Sequence, residues 1–182
     1  MQPEVESLWD ILKSADLVCS AEQTTAAVHR LAGEITQQMA GRFPLVLSVM
    51  GGGVVFTGQL LPLLHFPLEC DYIHVTRYRG AMQGGTIGWK VEPRRSLAGR
   101  NVLVLDDILD EGHTLSAIRE RLLQQGATAF YSAVFADKAI GRSKPIQADF
   151  VGVTVPNRYV FGFGMDVEGA WRNLPAIYAV KE

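Results

Sequence analysis

Apolar positions change their period several times along the chain, and each change marks an element. Residues 5–17 read as a first helix. Val28, Leu31, Ile35 and Met39 then recur at helical spacing, so residues 22–40 read as an amphipathic helix stopped by Gly41. Leu45 to Met50 is a short apolar run that suits a strand buried on both faces. Gly51-Gly52-Gly53 follows, and Val54 to Leu64 reads as a helix. Residues 69–79 are rich in aromatic and β-branched side chains and read as a strand. Arg79 to Gly88 is Gly-rich and reads as a loop, with Trp89 to Glu92 starting a returning strand. Asn101 to Leu105 is a further apolar strand that runs into Asp106-Asp107. A helix begins at His113, shares Leu115, Ile118 and Leu122 on one face, and ends at Gly126. Residues 128–136 and Phe150 to Val155 read as two more strands.

Strand and helix alternate through the middle of the chain. The expected fold class is therefore α/β, with a central, mainly parallel, twisted sheet flanked by helices. Ligands of such sheets sit at the carboxyl ends of the strands. The residues just after each strand are where chemistry is expected.

Composition narrows this picture. With 182 residues, 48% hydrophobic and 20% charged, the chain suits a single globular domain over residues 1–182. A net charge of -2 argues against nucleic acid as a partner. The two cysteines, Cys19 and Cys70, form no CxxC, which disfavours zinc and a disulfide framework. They point to a reducing compartment, the cytoplasm. The N-terminus has no basic region followed by an apolar core, so no signal peptide is expected. Phe43 to Leu68 lacks charge apart from His65, but its glycines and prolines argue for strand, turn and helix rather than a membrane span.

The segment Val102 to Thr114, VLVLDDILDEGHT, carries the most information. A hydrophobic strand ends in Asp106 and Asp107. Asp110, Glu111 and Gly112 come next, then a helix start with His113 and Thr114. Gly112 allows close backbone approach, and free N–H groups at a helix start can hold a phosphate. Four acids within residues 106–111 would repel a bare phosphate. Ribose hydroxyls and a hydrated magnesium ion both suit carboxylates, and a sugar phosphate carrying magnesium satisfies both halves of the segment. The plainer alternative is that these acids cap a helix and solvate a loop. GxxxxGK[ST] and G-x-G-x-x-G are both absent, which argues against a P-loop kinase and a dinucleotide dehydrogenase.

The segment resembles the phosphoribosyl pyrophosphate motif of the type I phosphoribosyltransferases. Asp106, Asp107, Ile108, Leu109, Asp110, Gly112 and Thr114 match it. Glu111 departs, because Thr or Ser is usual there, and an acid must point away for the phosphate to bind. The resemblance runs from about Leu45 to the C-terminus and is strongest to the hypoxanthine-guanine branch. Gly51 and Gly52 resemble that branch's pyrophosphate loop, which often has Lys where Gly51 stands and a cis peptide just before it. Thr76 to Trp89 resembles the flexible loop that closes over the reaction centre, with Tyr78 matching the usual Ser-Tyr and Arg77 departing from it. Each of these two segments also has an ordinary structural reading, as a packing turn and as a mobile hairpin.

The resemblance implies roles for later residues. Lys138 matches the lysine that meets the 6-oxygen of the purine. Tyr159 would stack on the base, and Val160 would touch it through its backbone. Asp166 would bind a second magnesium or the base edge, and Arg172 would reach pyrophosphate. Asp106 and Asp107 would hold ribose hydroxyls and magnesium, and Asp110 would be the general acid/base at purine N7. Glu111, Gly112, His113 and Thr114 would bound the 5′-phosphate. A solvated Lys138, a surface Arg172 and core aromatics remain the structural alternatives.

The implied activity is purine salvage: transfer of 5-phosphoribosyl from phosphoribosyl pyrophosphate to a 6-oxopurine, releasing pyrophosphate. The resemblance also implies Mg2+ as cofactor, a core over about 42–155 and a small hood from about 1–20 and 156–182. A homo-oligomer, dimer or tetramer, is expected from it as well. A non-catalytic sensor of phosphoribosyl pyrophosphate or nucleotides and a transferase for another base, such as xanthine, are the competing readings.

Overall fold

The computed structural model describes residues 4–77 and 87–181. Its elements run α1 (Val5–Ser14), β1 (Asp16–Cys19), α2 (Ala21–Met39), β2 (Leu45–Met50), α3 (Gly53–Leu60), β3 (Glu69–Arg77) and β4 (Ile87–Val91). They continue with β5 (Asn101–Leu109), α4 (His113–Gln124), β6 (Ala129–Ala139), β7 (Phe150–Pro156), β8 (Val160–Phe161) and β9 (Ile177–Ala179).

Six strands form the central sheet in the order β4-β3-β2-β5-β6-β7. Only the β3–β4 pair at the edge is antiparallel. The chain moves outward from β2 to β3 on one side and from β5 to β6 and β7 on the other. The strand order therefore reverses between β2 and β5, and a ligand crevice opens outside their carboxyl ends. The expected α/β class with a mainly parallel sheet is the one observed.

The apolar runs of β2 and β5 follow from burial on both faces. One face packs against α2 and α3 through Leu31, Ile35, Met39, Phe56 and Leu60, all fully buried. The other is covered by α4 through Leu115, Ile118 and Leu122. Helix α2 starts at a capping box. The Gln23 N–H donates to Ser20 Oγ at 3.3 Å, and the Ser20 N–H donates to Gln23 Oε1 at 2.8 Å.

Several boundaries differ from the pattern-based expectation. The first helix ends at Ser14, because Asp16–Cys19 is extended and pairs antiparallel with β9. Strands β1, β9 and β8 form a separate three-stranded sheet. Its strands are short and drawn from both ends of the chain, so no local period announces them. The helix after the glycines ends at Leu60 and tightens to a 3-10 turn over Leu61–Leu63, where Pro62 removes an N–H. Finally, β5 does not stop at Leu105. Its ladder with β6 continues to the Leu109–Asp137 pair. Asp106, Asp107 and Lys138 thus stand on strands rather than in loops.

Among the described residues, no helix is long and apolar enough to cross a membrane. The uncharged stretch from Phe43 to Leu68 is divided between β2, α3 and the 3-10 turn.

Candidate active site

The crevice is built first by the glycines after β2. The Met50–Gly51 peptide is cis. A Cβ on Gly52 would stand 1.8 Å from Asp107 Oδ2, and one on Gly53 would stand 2.9 Å from the Leu105 carbonyl. Any side chain there would displace the acid pair, so glycine is required by contact with β5 and not merely by turn geometry. At Gly51 nothing lies within 4 Å of such a Cβ. Crowding therefore does not explain why Gly stands here rather than Lys.

Strand β5 delivers the acids. Asp106 is only 9% exposed. The Asp107 N–H donates to Asp106 Oδ1, and the Ile108 N–H donates to Asp107 Oδ1, both at 2.9 Å. Burial pushes the Asp106 carboxyl well above its ordinary value, and the adjacent Asp107 charge adds to the rise. Burial also raises Asp107, against the opposing effects of its hydrogen bond with Asp106 and the charge of Arg172.

This sets a pH dependence with a definite sign. Between the ordinary carboxyl value and the raised one, the ligand-free folded chain binds a proton at Asp106 more readily than the unfolded chain does. The fold feels no penalty below the ordinary value of 3.8, and its stability falls as pH rises from there through the folded value. Asp106→Asn should therefore raise the melting temperature of the ligand-free protein at neutral pH. The gain should vanish below about pH 4. Melting curves from acid to neutral pH check this, and a pH-independent difference between the two proteins would refute it.

The turn into α4 holds the next group. Gly112 adopts φ +85°, and a Cβ there would lie 3.3 Å from both Lys144 Cβ and Pro145 Cδ. Its carbonyl accepts the Ser116 N–H at 3.0 Å. The N–H groups of the first helical turn have no partner within the helix, which suits an anion. Thr114 and Leu115 line the crevice, while His113 is exposed. The Glu111 carboxylate accepts from the Arg142 guanidinium at 2.6 Å. The acid that departs from the usual hydroxyl is therefore engaged by a cation of the β6–β7 loop. Asp110 is half-exposed and pairs with Lys138 Nζ at 3.1 Å.

The segment after β7 supplies the opposite wall. Tyr159 is 56% exposed, and its hydroxyl donates to the Asp166 carbonyl at 3.1 Å. Val160 is buried in β8. The Asp166 carboxylate accepts the Gly169 N–H at 2.9 Å and pairs with Arg172 at 2.6 Å. Arg172 also donates to the Gly164 carbonyl at 2.6 Å and stands 4.0 Å from Asp107 Oδ2. It belongs to the crevice rather than to a surface pair. Trp171 is structural, with its indole N–H on the Leu8 carbonyl and its ring edge-to-face with Trp9.

Two cavities result. One of about 400 Å³ is lined by Gly51, Gly52, Asp106, Asp107, Thr114 and Arg172, among others. The second, about 340 Å³, is lined by Lys138, Tyr159, Val160, Met165 and Asp166. They share Asp107, Ile108 and Asp110. Of the residues singled out from sequence, Arg77 stands at the end of β3, and Tyr78 lies outside the described residues, as does most of the expected closing loop. Pattern reading missed Lys144, which carries no local signal. It also missed Gly164, although Gly162 and Gly164 both standing in the hood segment was a usable hint.

No His, Cys, Asp or Glu group of three or more could cage a metal ion among the described residues. The paired, buried carboxyls still suit a hydrated hard cation that a bound diphosphate would hold in part.

A switch-point crevice with glycine turns, a helix start and a carboxylate pair defines an α/β protein that handles phosphorylated sugars or nucleotides. Residues 18–168 match the phosphoribosyl transferase domain. The hypoxanthine-guanine phosphoribosyltransferase of Streptococcus pneumoniae is 32% identical over 91% of this chain and 93% of its own. A crystal structure of a hypoxanthine phosphoribosyltransferase from Staphylococcus aureus superposes with a TM-score of 0.87 at 25% identity, covering 98% of this chain and 97% of that one. A hypoxanthine-guanine-xanthine phosphoribosyltransferase superposes with a TM-score of 0.83 at 29% identity, over 92% and 97% of the two chains. The chain belongs to the phosphoribosyltransferase family, on its hypoxanthine-guanine branch, and is an enzyme.

Proposed function

We propose that the enzyme transfers 5-phosphoribosyl from phosphoribosyl pyrophosphate to N9 of hypoxanthine or guanine, giving IMP or GMP and pyrophosphate, with Mg2+ as cofactor. The observation that carries this reading is the meeting of two cavities at Asp107 and Asp110. One cavity has the glycine turn, the acid pair, the helix start and Arg172. The other has a cation, an exposed aromatic ring and backbone from the hood. A sugar diphosphate and a flat base would then face each other across the acids.

In this reading the start of α4, with Gly112, His113 and Thr114, takes the 5′-phosphate. Glu111 faces Arg142 and so does not repel that phosphate. Gly51, Gly52 and Arg172 border the pyrophosphate, and Arg172 offsets charge developing on it. Asp106 and Asp107 hold the ribose hydroxyls and, with Asp166, contribute to holding magnesium. Bound magnesium would supply neutralisation of the leaving diphosphate. Tyr159 stacks on the purine, and Val160 contacts it through its backbone. Asp110 moves a proton at N7, which makes N9 the better nucleophile. Arg77, at the end of β3, and Tyr78, outside the described residues, would help exclude water from the reaction centre, as the resemblance implies. The enzyme is read as one domain with a hood, acting in the cytoplasm as a homo-oligomer.

Lys138 sets the base class. A cationic donor favours the 6-oxygen of hypoxanthine and guanine over the 6-amino group of adenine. A pyrophosphate-release assay with phosphoribosyl pyrophosphate, magnesium and each of hypoxanthine, guanine, xanthine and adenine tests this. Turnover is expected with hypoxanthine and guanine and not with adenine. Lys138→Ala should lower kcat/KM for the 6-oxopurines by roughly 10- to 100-fold, the loss of one charged hydrogen bond. Turnover with adenine, or with no base at all, would refute the reading. Efficient turnover of xanthine would extend the substrate set.

A further inference from the structure

Three cations follow one another at the end of β6 and in the loop beyond it. Lys138 pairs with Asp110 and Arg142 with Glu111. Lys144 faces neither of the two cavities of the site. Its side chain is only 10% exposed. Its ammonium donates to the Leu109 carbonyl at 2.7 Å and to the Asp137 carboxylate.

These two acceptors are neighbours of the reacting groups. Leu109 precedes Asp110, and Asp137 precedes Lys138. Leu109 and Asp137 are themselves opposite each other at the end of the β5–β6 ladder. Lys144 thus bridges that ladder where the two strands begin to diverge. A Cβ on Gly112 would lie 3.3 Å from Lys144 Cβ, so the Lys144 stem stands beside the turn that starts α4. The Lys144 side chain is largely covered, and both of the hydrogen bonds given for its ammonium go to this strand end.

We propose that Lys144 is a positioning residue that holds the Asp110 carboxylate and the Lys138 ammonium in register. It would set the spacing between the group acting at purine N7 and the group meeting the 6-oxygen. This rests on the function proposed above. It assigns Lys144 no contact with either substrate.

The test begins with wild-type turnover of hypoxanthine, then compares Lys144→Met, Lys144→Arg and Asp137→Asn. Lys144→Met keeps the length of the stem and removes both hydrogen bonds. Its kcat is expected to fall by roughly 100-fold, the scale of a 1 Å misplacement. The KM for phosphoribosyl pyrophosphate should change far less, and melting should remain cooperative. Lys144→Arg keeps a buried donor and should recover part of the loss. Asp137→Asn keeps an acceptor oxygen and should fall between wild type and Lys144→Met. A Lys144→Met enzyme with wild-type kcat overturns the proposal. So does a loss in both Lys144 variants that tracks only the unfolded fraction. A wild type inactive on every purine instead overturns the function on which the proposal rests, and an active wild type separates the two failures.

Discussion

Asp110→Asn is expected to lower kcat by roughly 100- to 10,000-fold, the span usual for loss of a general acid/base. Affinity for phosphoribosyl pyrophosphate should stay close to that of the wild type. The reason is the place of Asp110 in the site. Its carboxylate is half-exposed at the junction of the two cavities, 3.1 Å from Lys138. It makes none of the contacts that hold Asp106 and Asp107 in the strand. Asparagine has nearly the same shape and can still accept from Lys138, but it cannot take a proton at N7. Single-turnover kinetics together with equilibrium binding of phosphoribosyl pyrophosphate separate chemistry from binding. An equal loss in both would place Asp110 in substrate binding and remove it as the acid/base.

Gly164→Ala is expected to cost about 2–4 kcal/mol of stability and to weaken binding of phosphoribosyl pyrophosphate. Gly164 sits at φ +102°, and a Cβ there would stand 2.2 Å from the Gly52 carbonyl. The neighbour is backbone and cannot rotate away. Relief would require the hood and the β2 turn to part, moving Gly52 and also the Gly164 carbonyl that Arg172 holds. A fall in melting temperature of roughly 5–15 °C follows for a chain of this size. Gly99→Ala is the control. Gly99 has φ +74° with nothing within 4 Å, so it carries the backbone strain without the collision. Equal destabilisation by the two variants would mean that the contact between hood and turn contributes nothing.

Much of the central sheet could be read from the chain because its signals are local. Leu45 to Met50 is a strand with the expected ends, and α4 begins at His113 as expected. The run of acids after an apolar strand placed the crevice, since a carboxylate pair followed by Gly and a helix start is a chemical pattern in itself. The small β1-β9-β8 sheet was harder to read. Residues 16 and 17 read locally as the end of the first helix, because the strand character of Asp16–Cys19 comes from pairing with Ile177–Ala179 at the far end of the chain. The extent of β5 was underestimated for a related reason. Asp106 and Asp107 look like the end of a strand, but the β6 ladder carries the pairing on to Leu109.

The fate of Glu111 and the location of Lys144 show the division most sharply. From its neighbours alone, Glu111 reads as an obstacle to a phosphate. Only the folded chain brings Arg142 to within 2.6 Å of it. Lys144 looks like an ordinary loop lysine until the fold buries its ammonium between Leu109 and Asp137. By itself, the sequence determined the α/β class, the alternation that makes the sheet parallel, and the order of acids, glycines and helix start at the crevice. Each of these depends on the period of side chains or on chemistry within a few residues. Tertiary structure alone decided which cation faces which acid, which glycines approach across the crevice, and which strands form the small β1-β9-β8 sheet. Those contacts join residues far apart in sequence, and no local propensity encodes them.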